Sequence, residues 1–313
     1  MPRITVGEDS WTVPDGSNLL DALNAAGKSV PFSCRAGSCQ VCLVRCVQGQ
    51  PLDARPDALD PARRRQGWRL ACQCTVNEDL YVKTFSPTHE GQLAHVVEAD
   101  WLAGQVLRLR LMPERSLRYQ AGQHLSLWGA GGIARPYSLA SLPGADPWLE
   151  FHLDCSRCGA FCDLARSLRT GDSLSLGQPF AGALHYDPQW QERPLLLLAA
   201  GTGLAPLWGV LREALRQGHA GPIRLLHFCR GVSYLQGPLQ MLVERHGNLT
   251  VELIASEQAR ARIQTLETAS RQEVVLICGA EAFVGDCAKR LFMTGVPRGQ
   301  VFSDSFLSQS AGT

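Results

Sequence analysis

The 313-residue sequence predicts a multidomain chain: a small cysteine-rich β domain, then an antiparallel β-barrel, then an α/β domain built on a doubly wound parallel sheet. Three observations predict it. Six of the twelve cysteines, Cys34, Cys39, Cys42, Cys46, Cys72 and Cys74, fall in the first quarter. Short strand-like runs parted by Gly and Pro fill the stretch from Leu93 to Leu184, which is the spacing of a barrel. Beyond Arg193, apolar runs of strand length alternate with helical stretches, as parallel strands joined by crossover helices require.

Taken in order, residues 3–13 alternate as a hairpin around Gly7-Glu8-Asp9-Ser10, and Ser17 to Ala26 reads as a short amphipathic helix stopped by Gly27. A cysteine-rich loop follows, then a strand at Leu43 to Val47, a polar stretch from Pro51 to Arg69 and a last strand near Leu80 to Phe85. Ser86-Pro87-Thr88 reads as a linker, which sets the first domain at 1–86. The barrel, 90–187, is expected to contain strands at Val106–Met112, His124–Trp128 and Leu149–Leu153. The third domain, 190–313, is expected to run through strand Leu195–Ala200, a helix from Pro206 to Arg216, strand Ile223–Cys229 and a helix near Pro238–Arg245. Strands Leu249–Ile254 and Val274–Cys278 and a helix near Ala282–Phe292 complete it.

A net charge of +1 supplies no global field for nucleic acid or an acidic membrane, so neither is expected as a partner. The most apolar stretch, Leu195 to Leu211, approaches the roughly 20 residues a membrane helix needs. Gly201, Gly203 and Pro206 interrupt its centre, and strand, turn and helix explain the same letters. The first residues reach acidic Glu8 without an apolar signal core, so the expectation is a cytoplasmic protein. Twelve cysteines in such a chain point to metal or redox use rather than to disulfides.

Cys34-Arg-Ala-Gly-Ser-Cys39-Gln-Val-Cys42, followed at a distance by Cys72, has the Cys-x4-Cys-x2-Cys spacing of plant-type 2Fe-2S ligands. Small Ala36, Gly37 and Ser38 let backbone N–H groups approach the sulfides, and Cys72 closes the shell from another element. Zinc is the alternative; it prefers paired Cys-x2-Cys units, of which one is well placed here. Cys46 and Cys74 read as packing thiols. Arg35 reads either as a modulator of the cluster or as a solvated charge. Arg55, Arg63, Arg64, Arg65 and Arg69 read either as a docking stripe or, with Asp53, Asp57 and Asp60 interleaved, as a solvated loop.

Arg135-Pro-Tyr137-Ser138 follows Gly131-Gly132 at the end of a barrel strand. An arginine suits a pyrophosphate, a tyrosine ring can lie against an isoalloxazine, and a serine hydroxyl can hydrogen-bond the ring nitrogen that receives hydride. As a bare tetrapeptide it is equally an ordinary turn. Gly201-Thr202-Gly203-Leu204-Ala205-Pro206 follows an apolar strand and opens a helix, where an open α/β sheet binds a dinucleotide. Pro206 stands at the third glycine of the Rossmann spacing, so this is a different nucleotide loop or a tight turn. Cys278-Gly279 ends a strand at the same sheet edge; alone, Cys278 reads as a core thiol.

Together, and in this order, these motifs resemble the ferredoxin-NAD(P)H reductase superfamily with an N-terminal ferredoxin, as in reductase components of aromatic-ring oxygenases. A similar class, the CDP-6-deoxy-glucoseen reductases, feeds a sugar-deoxygenating enzyme. The resemblance implies a β-grasp ferredoxin domain, a flavin-binding barrel and a nicotinamide domain. It implies a 2Fe-2S cluster on Cys34, Cys39, Cys42 and Cys72, with FAD on Arg135, Tyr137 and Ser138. The family's second flavin motif stands as Gly159-Ala160-Phe161-Cys162, with Cys162 in place of a hydroxyl residue. Cys155-Ser-Arg-Cys158 just upstream falls on this flavin loop rather than in a metal site. NADH, with NADPH as the alternative, is implied at Gly201, Thr202, Gly203, Leu204, Ala205, Pro206, Cys278 and Gly279. Ser138 and Cys278 are implied as the catalytic residues. Val301-Phe302-Ser-Asp304-Ser-Phe306 resembles the final strand, with Phe306 either shielding the flavin or packing.

The implied activity is that of an NAD(P)H:acceptor oxidoreductase passing electrons through FAD and the cluster to a separate protein acceptor, an oxygenase or a dehydrase. Two readings stand beside it: a redox carrier or sensor without working flavin, and an oxidoreductase acting on a small molecule at the flavin. Arg230, just after the second parallel strand, suits a 2′-phosphate; no acidic residue is placed for the ribose hydroxyls.

Overall fold

Two-residue periodicity near the N-terminus gives the expected hairpin of β1 (Arg3–Val6) and β2 (Asp9–Thr12), in register from Arg3 opposite Thr12 to Val6 opposite Asp9. The computed structural model in which it is seen describes residues 1–180 and 182–306. After β3 (Ser17–Asn18) comes α1 (Leu19–Ala25). It begins later than expected because Asn18 is its cap, the side chain accepting the Asp21 N–H at 3.3 Å. Next come β4 (Leu43–Gln48), β5 (Leu52–Asp53), α2 (Pro61–Arg65), β6 (Trp68–Leu70), β7 (Cys74–Val76) and β8 (Leu80–Thr84). Among the described residues, one sheet has the order β2-β1-β8-β4-β6 and a small one β3-β7-β5. Leu19, Leu20 and Leu23 of α1 pack on Ile4, Val44 and Val82. Cys46 and Cys74 lie in the same core, as packing thiols should; burial raises Cys46 to about 11 and moves Cys74 the same way.

The linker residues Ser86-Pro87-Thr88 enter one helical turn, α3 (Pro87–Glu90), tied down by the Glu90 carboxylate accepting the Ser86 N–H at 2.7 Å. The barrel then consists of β9 (Gln92–Leu102), β10 (Val106–Pro113), β11 (His124–Trp128), β12 (Ala134–Ser138), β13 (Leu149–Asp154) and β14 (Ser173–Leu176), with α4 (Ala160–Ser167) before the last strand. Its order is β12-β11-β14-β9-β10-β13, antiparallel throughout. The Ala140 N–H, just past β12, donates to the Glu150 carbonyl in β13 at 2.8 Å and draws the two edge strands together.

The last unit alternates β15 (Leu195–Ala200), α5 (Leu204–Arg216), β16 (Ile223–Cys229), α6 (Gln236–Arg245), β17 (Leu249–Ala255), α7 (Ala259–Gln264), β18 (Val274–Ala280), α8 (Glu281–Met293) and β19 (Val301–Phe306). The strands are parallel in the order β17-β16-β15-β18-β19. A two-residue side-chain period divides β15 between two cores. Leu195, Leu197 and Ala199 face α5 and α6, while Leu196 and Leu198 face α7 and α8. Helices on both faces make this a doubly wound sheet. Among the described residues no helix is long and apolar enough to cross a membrane; Leu195 to Leu211 is strand, turn and helix.

Candidate functional site

Residues 34–42 form a loop in which backbone N–H groups turn toward sulfur. Ala36 and Cys39 each donate to the Cys34 Sγ at 3.3 Å, and Cys34 donates to the Cys39 Sγ at 3.4 Å. The loop achieves this with Arg35 and Gly37 in the left-handed region, φ 50° and 82°. The short turn after β6 carries Cys72, and the Gln73 side-chain amide donates to its Sγ at 3.3 Å. The thiols interact two by two, Cys34 with Cys39 and Cys42 with Cys72. Hydrogen bonding from Cys39 draws Cys34 down to about 4, and Cys39 moves up. Cys42 and Gln73 draw Cys72 down to about 7, and Cys42 moves up.

A two-iron, two-sulfide core needs two thiolates on each iron, so two pairs of cysteines with converging N–H donors fit it. Among the described residues no group of three or more His, Cys, Asp or Glu side chains is placed to hold a single metal ion. Arg35 ion-pairs with Asp21 and lies 4.8 Å over the Phe32 ring. Most of the basic stretch also turns back on the protein. Arg55 donates to the Ala36 carbonyl at 3.3 Å, Arg69 to those of Arg64 and Trp68, and Arg63 lies 5.7 Å over Phe180 of the barrel unit.

The ligand loop rests on the barrel. Cys39 and Val41 pack with Trp128 and Ala134, and the Phe85 ring lies 4.9 Å from Trp128. His124 on β11 reaches the Ser38 carbonyl through Nε2 at 3.2 Å. Since a carbonyl only accepts, Nε2 carries the proton, and Nδ1 is left buried without a hydrogen bond among the described residues. Across from it lies Asp304 of β19, where burial, opposed by His124, raises the carboxyl. Gly182 lines the gap between Asp304 and the His124 ring. The motifs around the cysteines did not reveal His124 or Trp128, whose cluster-loop partners lie 86 or more positions away in the chain.

On β12, Arg135, Tyr137 and Ser138 follow the left-handed Gly131-Gly132 turn; Arg135 donates to the Ala134 carbonyl at 2.8 Å. The Tyr137 ring lies 5.1 Å from Phe161 at 49°, which brings α4 beside β12. Gly159 caps α4 without a side-chain hydrogen bond, and this leaves first-turn N–H groups facing outward as an anion cradle. Cys162 does not face that cradle: its thiol donates to the Asp154 carbonyl at 3.5 Å. Backbone N–H groups at this helix end, with the guanidinium of Arg135 on the neighbouring strand, are donors of the kind a pyrophosphate takes, so the residues present fit FAD. Cys155 is buried and Cys158 exposed, so they do not form a metal pair.

Gly201-Thr202-Gly203 forms a single 3-10 turn running into α5, which begins at Leu204 rather than Pro206 because proline is tolerated in a first turn. A Cβ on Gly203 would overlap the Cys278 carbonyl, and one on Gly279 would stand 2.8 Å from the Ala200 Cβ. Glycine at both places thus lets the two turns press together at the carboxyl edge of the sheet, the edge where open α/β sheets bind dinucleotides. Cys278 itself is 0% exposed; burial, then the Asp304 charge, lifts its thiol well above the ordinary value and keeps it neutral. Ser138 is nearly as buried at 7%. Arg230 is exposed just past β16, and Phe306 is partly exposed at the end of β19.

Residues 4–77 match the 2Fe-2S iron-sulfur cluster binding domain. The reductase component of the naphthalene 1,2-dioxygenase/salicylate 5-hydroxylase systems of Ralstonia sp. is 28% identical, over 93% of this chain and 94% of that protein. The aromatic O-demethylase reductase subunit of Amycolatopsis sp. is 30% identical, over 82% of this chain and 80% of its own. Among solved structures, the Amycolatopsis cytochrome P450 reductase GcoB superposes with a TM-score of 0.67 at 26% identity, covering 99% of this chain and 100% of that one. The ferredoxin reductase in carbazole 1,9a-dioxygenase shares the fold, with a TM-score of 0.64 over 98% of each chain at 20% identity.

Proposed function

The chain belongs to the family of ferredoxin–NAD(P)+ reductase components of oxygenase systems, and from that premise we propose that it passes electrons from NAD(P)H through FAD and a 2Fe-2S cluster to a separate oxygenase. FAD supplies the conversion of a hydride into single electrons, which a nicotinamide donor and a one-electron cluster cannot make alone. Cys34, Cys39, Cys42 and Cys72 would hold the cluster, two thiolates to each iron. Arg135 and the N–H groups at the start of α4 would hold the pyrophosphate, Tyr137 would flank the flavin ring, and Ser138 would hydrogen-bond the nitrogen that receives hydride. The turn from Gly201 to Pro206 receives the dinucleotide. Gly279 would wall the nicotinamide site, with the neutral Cys278 thiol buried behind it and offering no competing base.

The observation that carries this reading is the packing of Cys39 and Val41 on Trp128 and Ala134, which seats the ligand loop against the flavin barrel without an intervening solvent layer. Residues 1–86, 90–187 and 190–313 are the three working modules; the last seven residues of the third lie outside the described residues. NADH is the proposed donor, and Arg230 is the residue that would accommodate the 2′-phosphate of NADPH. The cytoplasm is the proposed compartment, in keeping with twelve cysteines of which none is in a disulfide among the described residues.

Cys42→Ser tests the order of the carriers. Reduction of ferricyanide by NADH, which draws on the flavin, should be retained, while reduction of cytochrome c through the cluster falls by on the order of tenfold or more. Equal survival of both activities would take the cluster off the path.

A further inference from the structure

The barrel and the parallel-sheet unit are joined by a buried chain of polar side chains that no motif above accounts for. Glu150 and His152 stand on the same face of β13, two residues apart, and the Glu150 Oε1 lies 3.0 Å from the His152 Nε2. The His152 Nδ1 lies 3.2 Å from the hydroxyl of Tyr234, in the loop after β16. A carboxylate accepts, so Nε2 of His152 donates to Glu150, and Nδ1 and the Tyr234 hydroxyl share the next hydrogen bond. Burial raises the Tyr234 phenol well above its ordinary value, which keeps its proton in place. On the other side Arg110 donates to the second Glu150 oxygen at 2.6 Å, so the carboxylate is fully paired.

The Tyr234 ring then carries the chain into the nicotinamide turn. It stands edge-on between two imidazoles, His152 at 5.1 Å and 77° and His227 at 5.9 Å and 89°. His227 Nε2 lies 3.0 Å from the Gly201 carbonyl and Nδ1 lies 2.8 Å from the Ser233 hydroxyl, which by the same logic makes Nε2 the donor to Gly201. Arg212 of α5 supplies a second tie between the units, bidentate to Asp146 at 2.7 Å on both nitrogens. Apolar contact alone would let the units slide, whereas a directional hydrogen-bond chain has one register.

We propose that Glu150, His152 and Tyr234 are positioning residues for hydride transfer: they hold the Gly201–Gly203 turn in one fixed relation to the flavin-binding strand β12. This rests on the reductase reading above. Tyr234→Phe removes one hydroxyl and keeps the ring between the two histidines; His152→Gln interrupts the chain from the barrel side.

The test combines two readouts on the purified full chain. Stopped-flow bleaching of the flavin by saturating NADH should slow about tenfold in either variant, with the dissociation constant for NADH changed less than threefold, and the double variant should be no slower than the singles, as for residues acting as one unit. Amide hydrogen exchange, measured without NADH, should quicken at 201–204 and 229–235 in both variants and stay unchanged at 34–42. Wild-type bleaching rates in Tyr234→Phe, additive losses in the double variant, or unchanged exchange at 201–204 would overturn the inference and leave the reductase reading standing. A wild-type protein carrying FAD that NADH does not bleach would overturn the reductase reading and the catalytic role of the chain with it. If His152→Gln does not fold, the rate and exchange of Tyr234→Phe decide alone.

Discussion

At His227 burial decides the protonation state. It draws the pKa down from 6.5 to about 4, so the ring is neutral and, since Nε2 donates to the Gly201 carbonyl, Nδ1 accepts from the Ser233 hydroxyl. The depressed value means that the unfolded chain binds the proton more tightly than the folded one, so the stabilisation is complete above pH 6.5 and is lost as pH falls toward 4. The shift corresponds to on the order of 3 kcal/mol across that window. Thermal melts should therefore fall steeply between pH 6.5 and 4 in the wild type and less so in His227→Gln; parallel curves would contradict the assignment. Gly203 is decided by space rather than charge. Gly203→Ala drives a methyl group into the Cys278 carbonyl and should cost about 1–3 kcal/mol in urea denaturation, because that backbone belongs to β18 and cannot yield cheaply. The gathering of Cys34, Cys39 and Cys42 on one loop was legible in the sequence because the three lie within nine residues, a local pattern. His124, Glu150, His152 and Tyr234 were not, since pairings such as Ser38 with His124 and His152 with Tyr234 span 86 and 82 positions.

Strand β11 carries two modules at once. Its backbone pairs with β12 inside the barrel, and its last residue, Trp128, is 4% exposed because the cluster loop and Phe85 cover it. Trp128→Ala removes that plate and leaves the Ser126 hydroxyl, now accepting from the indole N–H at 2.9 Å, without its donor. It should cost about 3–5 kcal/mol and hasten bleaching of the cluster on mild heating; an unchanged melt would place the seat of the loop elsewhere. The elements that periodicity located best were the central parallel strands β15 and β18, whose continuous apolar runs reflect burial on both faces. Helix starts shifted where local chemistry decided them: the Asn18 cap delays α1, and Pro206, tolerated in a first turn, lets α5 begin at Leu204. The stretch from Pro51 to Arg69 read as one polar loop but holds β5, α2 and the start of β6; α2 is capped by the Asp60 carboxylate, and Arg69 donates to the Arg64 and Trp68 carbonyls. Strand β9 escaped notice because its exposed face interrupts any apolar run.

Across the whole molecule, the cluster loop meets the barrel at Trp128 and His124, while β19 of the third unit brings Asp304 to the same junction. The barrel meets the third unit again at Arg212–Asp146 and His152–Tyr234. The order of modules was legible because each carries its own period and its own motif; how they abut was not, because the contacts join side chains from separate modules. This arrangement makes the chain an internal wire from nicotinamide to cluster, and one experiment tests that claim most directly: an anaerobic NADH titration of the purified protein, with visible absorption and low-temperature EPR recorded on the same samples. Bleaching of the flavin followed by a rhombic signal from the reduced 2Fe-2S centre is the predicted result. A bleached flavin beside a cluster that stays oxidised until a strong chemical reductant is added would contradict it.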